Sequence, residues 1–105
     1  MGSSNGKPNP HYSLGALGSA TTQLEEVLKR AAMAGAQDAV TSAFADIMAR
    51  LRIDPNRFGE PLYHHRKSKM TIRCGIVAPL YIEYGVHDEQ PVVVIRRVVA
   101  LADAP

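Results

Sequence analysis

Basic and aromatic residues crowd one half of the chain. His64-His65-Arg66-Lys67-Ser68-Lys69 runs directly into Met70-Thr71-Ile72-Arg73-Cys74, and Arg96-Arg97 interrupts the apolar run Pro91–Val99. Guanidinium and ammonium groups hold phosphates, tyrosine rings stack on bases, and imidazoles move protons near neutral pH. Arg73, Arg96 and one of Tyr81 and Tyr84 therefore make a candidate patch for a phosphate-bearing or acidic partner. Arg66, Lys67, Lys69 and Arg97 extend it. His64 and His65 are acid–base candidates. Neighbours on a strand point to opposite faces, so at most one of the two shares a site with Arg73; His65 is assigned to it. The same residues have plainer readings: Lys and Arg that keep a strand edge from aggregating, exposed linker histidines, or an arginine salt-bridged to Glu83. Between Arg57 and Arg73 the chain carries five Lys or Arg against Glu60 alone.

The elements that must position these groups follow from the apolar pattern. Leu80-Tyr81-Ile82-Glu83-Tyr84-Gly85-Val86 and Pro91–Val99 are rich in β-branched and aromatic residues. The short polar link His87-Asp88-Glu89-Gln90 joins them, which predicts an antiparallel hairpin. Met70, Ile72 and Cys74 alternate with Thr71, Arg73 and Gly75, predicting a third strand with one buried face; on that reading Cys74 is a small buried hydrophobe. Upstream, Leu24, Val27, Leu28, Ala31 and Ala32 recur at helical spacing. Ser19 or Thr22 is the expected cap, and Glu25–Lys29 and Glu26–Arg30 are the expected surface pairs. Val40, Ala43, Phe44, Ile47, Met48 and Leu51 mark a second helix, from about Gln37 to Arg52. Gly35 is a left-handed stop between the two, and Asp54-Pro55 ends the second. Phe44 is the expected large core side chain. Phe58–Tyr63 reads as a connector, and His11–Leu17 as a weak first strand. The predicted fold is α+β, a helical hairpin packed on one face of a small antiparallel sheet, in the order β-α-α-β-β-β.

Composition sets the bounds. The chain has 105 residues, 46% of them hydrophobic, enough for one domain with a real core. The expected division is a disordered, Gly/Ser/Asn/Pro-rich tail over 1–10 and one domain over 11–105. No apolar run nears the roughly 20 residues of a membrane span, and the first residues lack the apolar stretch of a signal peptide. A single cysteine, Cys74, fits a reducing cytoplasm, and no metal or cofactor is expected because the histidines show no ligand spacing.

The helical hairpin, then Asp54-Pro55-Asn56-Arg57-Phe58-Gly59-Glu60-Pro61-Leu62, then Met70-Thr71-Ile72-Arg73, then Leu80–Glu89 and a Val-rich last strand resemble the RelE/ParE toxin superfamily, over about Ser19 to Leu101. The resemblance implies a toxin of a toxin–antitoxin pair, with a cognate antitoxin as partner. One branch of the family cleaves messenger RNA on the ribosome without metal, and another poisons DNA gyrase. By the same resemblance Arg73 matches the arginine closing the basic strand and Tyr84 the aromatic near the end of the next. Two departures stand out. Tyr81 occupies the place of a family arginine, and Ala100-Leu101-Ala102-Asp103-Ala104-Pro105 carries none of the basic and aromatic groups found after the family's last strand. Three functions remain open: a toxin acting on ribosome-bound RNA as a metal-independent endoribonuclease, a non-catalytic module of the same fold that binds gyrase or another protein, and a homo-oligomer formed through an exposed strand edge.

Overall fold

The computed structural model describes residues 11–104; the tail expected over 1–10 lies outside the described residues. The elements run β1 (Ser13–Ala16), α1 (Gly18–Met33), α2 (Gln37–Ile53), β2 (Glu60–His65), β3 (Met70–Val77), β4 (Leu80–His87) and β5 (Val92–Ala100), closed by a 3-10 turn at Leu101–Asp103. The strands form one sheet in the order β1-β5-β4-β3-β2. The α+β class and the helical hairpin stand as expected. The sheet differs in two respects. Its first pair, β1 with β5, is parallel, and the connector Phe58–Tyr63 continues into a fifth strand, β2, antiparallel to β3. Pro61 concealed β2 in the sequence, but an edge strand tolerates proline because one side of its backbone has no ladder to donate to.

Pairing of β1 with β5 also sets where α1 begins. The Leu17 N–H is held by the Ile95 carbonyl at 2.9 Å, so the helix starts at once, at Gly18, with no side-chain cap. Neither Ser19 nor Thr22 caps it; the Thr22 hydroxyl donates back to the Gly18 carbonyl at 3.2 Å. Arg30 leaves Glu26 and reaches Asp103 at 3.2 Å, tying α1 to the C-terminal turn. Gly35 has the left-handed φ of 72° that lets α1 stop and α2 turn back.

The core lies between the helical hairpin and one face of the sheet. Ala20 and Ala31 of α1 and Val40, Ala43, Ile47 and Leu51 of α2 meet Leu80, Ile82, Tyr84 and Val86 of β4 and Val93, Ile95 and Val98 of β5. Ile47 and Leu51, fully enclosed, are the large α2 side chains of this core. Phe44, expected in that role, is only half-buried at its margin. Among the described residues no helix is long and apolar enough to cross a membrane.

Register assigns every strand residue a face, because directly opposed residues share one. Tyr84 faces the helices and opposes Arg73, as Ile82 opposes Gly75 and Val86 opposes Thr71. Thr71, Arg73, Gly75 and Val77 of β3 therefore point to the helix side. Met70, Ile72 and Cys74, the residues expected in the main core, point to the other side, here called the open face. Met70 and Ile72 are nevertheless buried, because they fold over Gly85 of β4: a Cβ there would sit 2.9 Å from the Met70 sulfur. Cys74 is half-buried on the same face.

Candidate functional site

Two β-bulges decide what the open face carries. In β5, Ile95 opposes Tyr84 and Arg97 opposes Glu83, so Arg96 has no partner on β4. A bulge inserts one residue and re-aims its neighbours. Ile95 and Val98 both face the core, and alternation from either side brings Arg96 and Arg97 together onto the open face. A regular strand would have buried one of them. In β2, Leu62 is the unpaired residue between Pro61 and Tyr63, and it joins Tyr63 on the open face in the same way.

Around the arginines the open face holds a short polar chain. The Tyr81 hydroxyl donates to Glu83 Oε2 at 2.8 Å, and Arg97 Nη1 approaches the same oxygen at 3.4 Å. Burial, helped by the Glu83 carboxylate, pushes the Tyr81 hydroxyl well above its ordinary pKa, so it is a proton donor and not a base. Arg96 makes no ion pair or side-chain hydrogen bond among the described residues. Nor do Arg66, Lys67 and Lys69, which lie exposed in the β2–β3 turn, where Lys69 adopts a φ of 55°. His65 is on the open-face register opposite Met70. Its Nδ1 accepts from the Ser68 N–H at 3.3 Å and lies 2.7 Å from the Ser68 hydroxyl.

Arg73 and Tyr84 do not join this face. Both lie on the helix side, beyond the end of α2, and hold the loop that connects α2 to β2. Arg73 Nη2 donates to the carbonyls of Asn56, at 2.8 Å, and Gly59, at 3.1 Å. Tyr84 is fully buried. Its hydroxyl donates to the carbonyls of Pro55 and Phe58, and its ring stacks on Phe58 with centroids 5.9 Å apart. Burial raises its pKa, against the lowering effect of Arg73 beside it. Two glycines make room for the loop. Gly59, at a φ of 70°, sits where a Cβ would run into the Cys74 carbonyl, and a Cβ on Gly75 would meet the Phe58 ring at 2.5 Å. The expected patch of Arg73, Arg96 and a tyrosine is therefore divided by the sheet. The tyrosine on the arginines' side is Tyr81, because the buried hydrophobic partners of Tyr84 fix the parity of β4.

Of the plainer readings, the arginine salt-bridged to Glu83 is realised, by Arg97. Sequence reading passed over the Tyr81 bond to the same carboxylate and the partners of two histidines. His64, on the helix-side register, reaches Asp88 at 2.8 Å, while His87 Nδ1 accepts the N–H groups of Glu89 and Gln90 at 3.1 Å; both histidines fasten the turn end of the sheet. Among the described residues no three His, Cys, Asp or Glu side chains gather as a metal-binding group. A cleft of about 400 Å³ opens between α1 and the free part of β5. There Gln23 Oε1 accepts the otherwise unpaired Val98 N–H at 2.9 Å.

No family model and no curated protein matches the chain. Solved structures do. A chain of the RelBE2 toxin–antitoxin complex of Mycobacterium tuberculosis is 21% identical, with a TM-score of 0.62 over 90% of this chain and 95% of that one. A chain of the archaeal RelE–RelB complex of Pyrococcus horikoshii is 14% identical, with a TM-score of 0.63 over 90% and 99%. The chromosomal ParDE system of P. aeruginosa gives 10% identity and a TM-score of 0.60 over 87% and 97%. The fold is that of the RelE/ParE toxins.

Proposed function

We propose that the chain is the toxin module of a toxin–antitoxin pair, restrained by a cognate antitoxin and acting through its open face on ribosome-bound messenger RNA. The likeness in fold to chains of three toxin–antitoxin systems supports the first part. One observation carries the second: the β5 bulge brings Arg96 and Arg97 to one face of the sheet, and the Arg66–Lys69 turn extends from its edge. Arg97 is shared with Glu83, whereas Arg96 and the turn cations Arg66, Lys67 and Lys69 have no acidic partner among the described residues, and such cations bind a phosphate backbone by releasing its counterions. Tyr63, half-exposed on that face, offers a surface for base stacking. Cleavage would need a base for the 2′-hydroxyl, a cation for the phosphorane and an acid for the leaving oxygen. On this face Glu83 is the proton acceptor, Arg96 the unpaired cation and Tyr81 a hydroxyl donor, while the Nδ1 of His65 is already engaged by the Ser68 N–H.

A second reading is a toxin that binds a protein target, gyrase or another, without cutting RNA. It is favoured by the engagement of Arg73 and Tyr84, the two residues that the family resemblance matched, in holding the Pro55–Gly59 loop. Inducible expression separates the readings. Growth arrest relieved by co-expressing the neighbouring small gene supports the toxin module. Messenger RNA cut within minutes of induction, and left whole by Arg96→Ala with Arg97→Ala, supports the RNA reading. Arrest with intact RNA, undiminished in that double variant, supports the protein-binding reading. Unimpaired growth in every arm discards both.

A further inference from the structure

Strand β2 has a neighbour on one side only, and its residues have a symmetric arrangement. Glu60, Tyr63 and His65 oppose Cys74, Ile72 and Met70 on the open face, while Pro61 and His64 oppose Arg73 and Thr71 on the helix side. The bulge residue Leu62 joins Tyr63. Along Glu60–His65 the faces read open, helix, open, open, helix, open, the same in both directions. Two copies pair antiparallel only if opposed residues share a face. A regular six-residue strand cannot do so about its own midpoint, because residues whose numbers sum to an odd value fall on opposite faces. The extra residue in β2 removes that mismatch.

We propose that β2 pairs with β2 of a second copy in this one register, with Glu60 opposite the partner's His65, Pro61 opposite the partner's His64, and Leu62 opposite the partner's Tyr63. The side chains suit it. Leu62 and Tyr63 are 46% and 52% exposed, and each would cover the other across the two-fold axis as an aliphatic–aromatic cross-strand pair. Glu60 has no partner among the described residues. Because His65 Nδ1 accepts the Ser68 N–H, the proton of the neutral ring is on Nε2, where it can be donated to the partner's Glu60 carboxylate. Pro61, with no N–H, marks the side of β2 turned away from β3. His64 shares its orientation, so each His64 N–H donates to the partner's Pro61 carbonyl. Bulges and prolines usually protect an edge from foreign strands; here they leave the strand complementary to itself. The pairing joins two open faces into a continuous ten-stranded sheet with the basic turns at opposite ends of the seam. Six residues a side bury less than the roughly 800 Å² per partner of a standard interface, so the dimer is weak and reversible.

The full chain, followed by sedimentation from micromolar to millimolar concentration, is expected to pass from monomer to dimer, and Tyr63→Lys to remain monomeric while keeping the wild-type circular dichroism. Register is read by disulfide trapping in a Cys74→Ser background. A mixture of Glu60→Cys and His65→Cys chains is expected to cross-link, and each chain alone is not, because five residues at about 3.3 Å separate identical positions by about 16 Å. The trapping stands even if Tyr63→Lys fails to fold. A wild type that is monomeric throughout, including one whose β2 edge takes a strand of another protein, overturns the proposal. So does a mixture that cross-links no faster than its components, or a dimer unaffected by Tyr63→Lys.

Discussion

The Tyr84 hydroxyl bonds two carbonyls of one loop from inside the core. Tyr84→Phe leaves Pro55 and Phe58 with buried, unpaired acceptors, which costs about 1–3 kcal/mol and is measurable by urea denaturation. Arg73→Ala releases the same loop and should likewise lower the midpoint. Arg96→Ala, which removes no described bond, should stay within about 0.5 kcal/mol of wild type. Loss of activity in the Arg73 variant would then report on the fold, and in the Arg96 variant on the site. Both raised tyrosines also make a prediction about pH. Unfolded, Tyr81 and Tyr84 begin to lose their protons around the ordinary value of 10.0, while the folded chain retains them. Stability is thus fully present below that pH and falls as pH rises above it, since the unfolded state then binds fewer protons. Melts between pH 8 and 11.5 should show this decline, shallower in Tyr81→Phe.

At the scale of elements the β5 bulge is the decisive device. Removing Arg96 altogether, in a one-residue deletion, leaves Ile95 inward, Arg97 outward and Val98 inward, the alternation of a regular strand. Pairing of β1 with β5 ends at Ile95, so the deletion does not disturb it. The deleted chain is therefore expected to fold, with circular dichroism and amide protection of β4 and β5 close to wild type, while RNA affinity falls because one cation is gone. A molten or insoluble deletion variant would mean that the bulge is needed for folding, not for display. The loop of α2 to β2 makes the opposite case, since Gly59, Gly75, Arg73 and Tyr84 all serve its backbone.

The whole molecule puts its main core on the helix side of the sheet and the Arg96–Arg97 pair on the open side. Ile47→Ala, in the enclosed layer, should cost about 2–5 kcal/mol. Phe44→Ala, half-buried at the margin of that layer, should cost less; equal losses in thermal melts would place Phe44 in the core. On the open face the signature is ionic. Single-stranded RNA affinity should fall linearly with log salt concentration, and each of Arg66, Lys67, Lys69, Arg96 and Arg97 that contacts a phosphate should lower the slope by about 0.7 when changed to Ala. Because phosphate contacts carry no sequence information, the loss should be similar for unrelated RNAs. A slope unchanged in all five variants would move binding off this face.

By itself the sequence determined the helical hairpin, its Gly35 and Pro55 stops and the β4–β5 hairpin, because helical periodicity, turn chemistry and β-branched runs are local signals. It also placed the charge in the C-terminal half. Only the tertiary structure decided which charges share a surface. Side-chain direction in a strand has a period of two, so a single inserted residue reverses everything beyond it. The bulges at Leu62 and Arg96 leave no mark in composition and exist only through the ladders on β3 and β4. The same dependence on partners turned Arg73 and Tyr84 inward and made β2 a strand despite its proline. The apolar alternation of Met70, Ile72 and Cys74 was legible, but the side it faced was not, because burial against Gly85 on the open face has the same sequence pattern as burial under a helix.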